Sequence, residues 1–351
     1  MTRFSNPEVD GAIVPTHPQP LTFSEYSMGT GPVSQLLQKK GLHHPVRLAR
    51  VQLHPTEGLC ASPNLDNHRF VVCSNTGRVY GRSVSPTYNL AQNTTIANML
   101  DQVILPGTTP KIMSFQHGAR VGFEIPISNE QLELSDEDKQ MIRDARKRFN
   151  VGVHGWQDKD EYTAPYDASL LITNTHGGSG ALTATLKMKF LACDNGLVQP
   201  IKKGGFAFRH NARLDERFEQ MRTAFELAQS SVKEQSYLIR RMFATPMNAT
   251  EFTEFIERVY PATKGVKKDT QRKKKLQNLE NHYYRAPGAE PGTVFGALQA
   301  VTYYNSHQSR ISRSKYKLDI PEDQLRQESY LYGAGAQKNA QAFNYCLDMM
   351  N

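Results

Sequence analysis

From about Val46 to Ile127 apolar and polar residues alternate in short runs, VRLARVQL, HRFVVCS, GRVYGRSV and ARVGFEIPI, with Gly, Pro and Asn between them. A period of two bounded by turn residues predicts antiparallel strands, and Asn75-Thr76-Gly77 suits a hairpin connection. The alternation breaks at Thr94 to Val103, where Ile96, Leu100 and Val103 stand at helical spacing. Ser135 with Asp138 resembles a capping box ahead of Met141, Ile142, Ala145 and Phe149, so a helix is expected to about Asn150. The polar, turn-rich VGVHGWQDKDEYTAPYD after it makes 131–163 an excursion between two parts of one sheet. Strands resume in a hairpin at 168–193.

Beyond Asn211 the period becomes helical. Leu214, Phe218, Met221, Phe225, Ala228 and Val232 form one apolar stripe, with Asn211 as a suitable N-cap. Asn248 with Glu251 resembles a second capping arrangement, opening a helix with Phe252, Phe255, Ile256 and Val259 on one face. Further helices are expected at 293–309 and 322–331. Three regions follow: an extended arm at 1–44 rich in Pro, Thr, Ser and Gly, an antiparallel β-rich core at 45–212, and a helical part at 213–351. The expected fold is α+β, a curved antiparallel sheet with hairpins backed by helices. The arm, with anchors such as Phe23, Leu36 and Leu37, is too sparse for a fold of its own and suits packing on an adjacent subunit of a homo-oligomer.

The segment LLITNTHGGSGALTATLKMKFLACDNGLV, Leu170 to Val198, joins two strand-like runs through a histidine and glycine turn. Val, Ile, Thr and Leu suit a pleated surface, and Gly177, Gly178 and Gly180 tolerate positive φ. This block resembles the domain of unknown function 932 family of phage- and plasmid-like proteins, in which Asn-Ser-His-Asp-Gly-Ser precedes a strand ending in Cys-x-Asn. Here the matching residues are Asn174, Thr175, His176, Gly177, Gly178 and Ser179, then Cys193, Asp194 and Asn195. Other segments follow in family order at 74–93, 115–127, 208–218 and 292–307, so the resemblance covers about 45–310. Gly177 stands where the family usually has an acid, and Phe190, Leu191 and Ala192 replace the Arg common before the cysteine, which argues against acid-dependent chemistry at the turn.

Charge changes the picture next. The 351 residues hold 42 basic and 34 acidic side chains, a net +8. Between Pro200 and Lys275 there are 17 basic and 9 acidic residues, a surplus equal to the whole net charge. The densest run, KGVKKDTQRKKK at 264–275, holds seven positive charges and one acid. Such a run is commonly a solvated face; it is also suited to phosphates, whose neutralisation releases condensed counterions. Lys187 and Lys189 lie two apart on one strand and so on one face, and Lys202, Lys203, Arg209 and Arg213 follow. Phe206 and Phe208 alternate beside them as surfaces for base stacking. The expected nucleic-acid face therefore comprises Lys187, Lys189, Lys202, Lys203, Phe206, Phe208, Arg209 and Arg213, with Lys267, Lys268, Arg272, Lys273, Lys274 and Lys275 as a mobile clamp over it. Tyr283, Tyr284, Tyr303 and Tyr304 also stand near basic residues, and of these helical Tyr303 and Tyr304 read rather as packing residues.

A histidine beside a turn generally bonds local backbone, so Asn174, His176, Gly178, Cys193 and Asn195 are expected to be structural. An enzyme built on His176, Asn174 and Cys193 is the lesser reading, because Cys193 closes an apolar strand where buried inert thiols are commoner. No H-E-x-x-H, C-x-x-C or clustered acids supply a metal site, and GGSG at 177–180 is not a phosphate-binding loop. No cofactor or metal is expected. Cys60, Cys73, Cys193 and Cys346 lack the pattern of a disulfide scaffold, no signal peptide or membrane span is evident, and a cytoplasmic protein of a bacterial host is expected.

The resemblance implies a mobile-element setting and the charge pattern points to nucleic acid. Together they suggest a DNA-binding protein of a phage or plasmid that binds or anneals single-stranded DNA in recombination or replication. The alternative is an oligomeric structural or anti-defence interaction protein without catalytic activity.

Overall fold

The computed structural model describes residues 31–50, 67–105, 107–132, 135–137, 140, 164–177, 182–190, 195–200, 206–208, 214–262, 266–285, 290–309, 311 and 320–351. It is an α+β fold with two antiparallel sheets and a helical C-terminal part. The chain divides into two compact units, one of Met1–Ile125, Leu170–Ala184 and Lys202–Phe225, the other of Pro126–Ser169, Thr185–Ile201 and Glu226–Asn351.

In the first unit β1 (Val46–Ala49), β2 (Arg69–Cys73) and β3 (Val79–Val84) form a separate sheet in that order, where the alternation predicted strands of one continuous sheet. Periodicity identifies a strand but not its neighbour. Asn75 and Thr76 lie in the turn joining β2 to β3, and Gly77 takes a φ of 66° there. Val46, Val71, Cys73, Tyr80, Val84 and Ala119 make its core. Helix α1 (Val33–Lys39) packs on α2 (Asn93–Val103) and buries Leu36 and Leu37. These residues were expected in an extended arm; Asp101 instead accepts the Val33 and Ser34 amides and the Ser34 hydroxyl, satisfying the first turn of α1 from its own chain. Residues 1–30 of that arm and the helix expected to about Asn150 lie outside, or almost wholly outside, the described residues.

The larger sheet has the order β4-β5-β6-β7-β8, with β9 also on β7: β4 (Lys111–Phe115), β5 (Arg120–Leu132), β6 (Ala164–Thr175), β7 (Leu182–Phe190), β8 (Asn195–Pro200) and β9 (Phe206–Phe208). Strand β7 pairs β9 at Leu182↔Phe208 and β8 at Lys187↔Val198. From Ala168 to Gly177 every residue is buried, which is why LLIT reads as a continuous apolar run rather than an alternation.

Helix α3 (Leu214–Ala244) leads into the second unit, where α4 (Ala249–Val259) starts at a full capping box: the Asn248 side chain accepts from the Thr250 and Glu251 amides at 2.9 and 3.0 Å, and Glu251 accepts from the Asn248 amide at 2.7 Å. Its inner face is Phe252, Phe255, Ile256 and Val259. Helix α5 (Val266–Arg285) precedes α6 (Val294–Tyr303), which is buried from Val294 to Thr302 and packs with α4, α5 and β8. Phe243 stacks on Phe295 at 3.9 Å and Phe252 on Tyr283 at 4.0 Å between ring centres, contacts of about 0.5–1.5 kcal/mol each beyond area burial. Gly296 is required at the start of α6, since a Cβ there would lie 2.0 Å from the Glu290 carbonyl oxygen. A π-helical turn, Tyr304–Gln308, ends α6, and α7 (Glu322–Tyr332) and α8 (Ala334–Met349) complete the layer.

Candidate functional site

Three buried polar side chains gather at the end of β6. The Asn174 amide nitrogen donates to the Ala91 carbonyl and to Asn93 Oδ1, both at 2.9 Å, and His176 Nε2 lies 3.2 Å from the same Asn93 oxygen. Because that oxygen already accepts from Asn174, the network makes His176 Nε2 the protonated nitrogen. Asn93 in turn donates to the Leu42 carbonyl at 3.3 Å. The His176 amide donates to the Ala119 carbonyl at 2.8 Å, and the Tyr80 ring stacks on the imidazole at 6.0 Å and 16°.

Tyr80 also ties this cluster to the β4–β5 corner, where its hydroxyl donates to the His117 carbonyl at 3.1 Å. Gln116 and His117 both hold positive φ there, 51° and 56°, a conformation uncommon for residues with a Cβ. The cluster is sealed: Asn174 is 0 % and His176 1 % exposed. It fastens β6, the start of α2 and the corner. Gly177 abuts Gly81, so the position where the family usually has an acid is one where a Cβ would lie 2.9 Å from the Gly81 Cα.

Cys73, in the same unit, is a buried free thiol. Burial pushes its pKa up, and hydrogen bonds from Thr76 and the Asn75 backbone outweigh that and leave the thiol below its ordinary value. Gly178 and Cys193 lie outside the described residues, and Asn195 is described as the first residue of β8.

The basic run is helical from Val266, and its cations divide between two faces. Arg272 turns inward, with Nη2 2.9 Å from Glu257 Oε1 and Nε 3.5 Å from the Tyr260 carbonyl. Lys275 lies over the Tyr260 ring, 4.7 Å from its centre. Lys273 and Lys274 are exposed, and neither has an ion-pair partner among the described residues. A helix docked through Arg272 and Lys275 corrects the expectation of a mobile clamp over 264–275. Lys267 and Lys268 are described as backbone of its first turn.

Lys187 is a second correction. It sits in β7 opposite Val198 at 5 % exposure, so it presents no ammonium group to a polyanion. Lys189 follows in the same strand, paired with Gly196. Phe206 and Phe208 are the ends of β9. Lys202, Lys203, Arg209 and Arg213 lie outside the described residues.

Residues 128–332, more than half of the chain, match the model of the family described as Domain of unknown function (DUF932). The chain belongs to this family. No curated protein and no solved structure matches it. Within this member of the DUF932 family the matched region holds Asn174 and His176 and all of α5, whereas Asn93, Tyr80 and Gly81 precede it. Among the described residues no helix is long and apolar enough to cross a membrane, and no three His, Cys, Asp or Glu side chains are placed to hold a metal ion.

Sequence reasoning missed Asn93 and Lys338. Asn93 stands 81 residues before Asn174, with no local pattern to join them. Lys338, over the Tyr260 ring at 5.5 Å, sits in the helix α8 that carried no strong periodic signal.

Proposed function

We propose that this protein is a phage- or plasmid-encoded DNA-binding protein that binds or anneals single strands without a cofactor, acting as a homo-oligomer in recombination or replication. The observation that carries this reading is the outward face of α5, where Lys273 and Lys274 are exposed while Arg272 and Lys275 hold the helix down. A docked helix presents its outer charges without first having to be ordered, so less conformational entropy is lost when a polyanion binds. Several copies along one strand add such short contacts into useful affinity.

The test is a titration of a labelled oligo(dT) strand, and of the same length of duplex, across a salt series with the wild type and Lys273→Met/Lys274→Met. The wild type should bind the single strand more tightly, and the variant should flatten the salt dependence by a slope of about 0.7 for each phosphate no longer neutralised. Equal affinity and equal slope for both proteins would remove the nucleic-acid reading and favour a structural or anti-defence interaction role.

A further inference from the structure

Four cationic groups gather at the C-terminal end of α4, and two of them, Lys338 and Arg272, reach hydrogen-bond acceptors there. Lys338 Nζ donates to the Val259 carbonyl at 2.6 Å and to Gln341 Oε1 at 3.0 Å. Arg272 pairs with Glu257 at 2.9 Å, and the Arg258 guanidinium covers the Tyr345 ring at 4.4 Å. Cations at this position complement the unpaired carbonyls and the negative end of the helix dipole.

Lys275 differs. Its ammonium group lies 4.7 Å from the centre of the Tyr260 ring and 5.9 Å from that of Tyr304, and it donates to no acceptor among the described residues. The two rings beneath it are fixed. Tyr260 donates to Asn305 Oδ1 at 3.0 Å, Asn305 donates to Asn339 Oδ1 at 2.7 Å, and Tyr304 opens the π-helical turn. Burial, and then the charge of Lys338, hold the Lys275 amine below its ordinary value, so its charge is less well accommodated here than in water. A half-buried ammonium with three donors, no acceptor among the described residues and a like charge nearby calls for an anion.

We infer that Lys275 and Lys338, set over the Tyr260 ring, form a binding niche for a phosphoryl oxyanion, supplied by the phosphodiester of a nucleic-acid strand. This rests on the DNA-binding reading for the source of the phosphate but not for the niche itself. Strand phosphate on the inner edge of α5 would complement the contacts of Lys273 and Lys274 on its outer face. Lys is suited to this as a point charge that needs no fixed fork of donors.

The test uses the full chain and Lys275→Met, which keeps an apolar stem over the ring and removes no hydrogen bond among the described residues, with melting temperature as the check on folding. Labelled oligo(dT) is titrated across salt. Lys275→Met should bind several-fold more weakly at low salt, with a slope flatter by about 0.7, the value for one neutralised phosphate on a single strand. If the wild type binds and Lys275→Met matches it in affinity and slope, strand phosphate is overturned as the occupant. If the wild type does not bind, the DNA-binding reading fails by itself and a second arm decides the niche. There the wild type is acetylated by an amine-reactive ester with and without inorganic phosphate, and the lysines are mapped by mass spectrometry. A fall in the labelling of Lys275 and Lys338 when phosphate is added, with Lys273 and Lys274 unchanged, establishes the niche with free phosphate as occupant, and labelling of Lys275 and Lys338 that phosphate leaves unchanged overturns it.

Discussion

Gly81 and Gly177 meet backbone to backbone, so that a Cβ on Gly81 would stand 2.3 Å from the Gly177 carbonyl oxygen. Gly81 also holds a φ of +64°, where an L side chain is strained. Gly81→Ala should therefore destabilise the fold by about 2–4 kcal/mol, from the left-handed conformation together with overpacking. Gly177→Ala, which adds only the overpacking, should cost about 1–3 kcal/mol. Urea unfolding followed by circular dichroism measures both, and an unchanged midpoint for Gly81→Ala would refute the close approach.

The Asn93 oxygen serves both Asn174 and His176, so the three should behave as one unit. Each of Asn93→Ala, Asn174→Ala and His176→Ala is expected to cost about 1–3 kcal/mol, the penalty of leaving a buried partner unsatisfied. The double variant Asn93→Ala/His176→Ala should fall short of the sum by about 0.5–3 kcal/mol. Strict additivity would show that these hydrogen bonds do not couple.

The α4 capping box offers a local measurement. Asn248→Ala removes the acceptor for two amides at the head of the helix and should lower stability by about 1 kcal/mol, whereas Asn248→Asp should retain most of it. A melting temperature unaffected by Asn248→Ala would mean that the box is dispensable.

His282 predicts a pH dependence. Burial lowers its pKa from 6.5, the hydrogen bond with Gln308 opposes this, and the charge of His307 adds to it; the Tyr303 ring lies between the two imidazoles, 4.8 and 4.6 Å from their centres. A base whose folded pKa is depressed binds fewer protons folded than unfolded, so stability is full above the unfolded value and falls as pH drops through 6.5. Urea midpoints should decline over that window, and His282→Gln should flatten the decline. An identical pH profile in the variant would exclude His282 as its source.

The helix α4 and its face were readable in the sequence because Asn248, Glu251 and four apolar residues at helical spacing are local signals. Helix α8 was not, since its buried positions include Ala342, Cys346 and the amide of Asn339, which pairs with Asn305 rather than forming an apolar stripe. Strand β4, KIMSF, buries the neighbours Ile112 and Met113 together, so its sequence does not alternate. Lys187 and Lys189 were rightly placed on one strand, but the burial of Lys187 depends on what covers β7, and spacing carries no record of that. In the basic run the count of charges was visible, while the division into inward Arg272 and Lys275 and outward Lys273 and Lys274 required the helical phase and the position of Tyr260.

Gln92 closes an edge. Strand β1 is the outer member of its sheet, and the Gln92 side chain accepts from the Val46 amide and donates to the Val46 carbonyl, each at 2.9 Å, as a neighbouring strand would. A second polypeptide seeking to extend the sheet at Val46 would have to displace an amide that already occupies both backbone groups. One glutamine thus protects the chain at this point against unwanted strand addition, the route by which open sheet edges lead to aggregation.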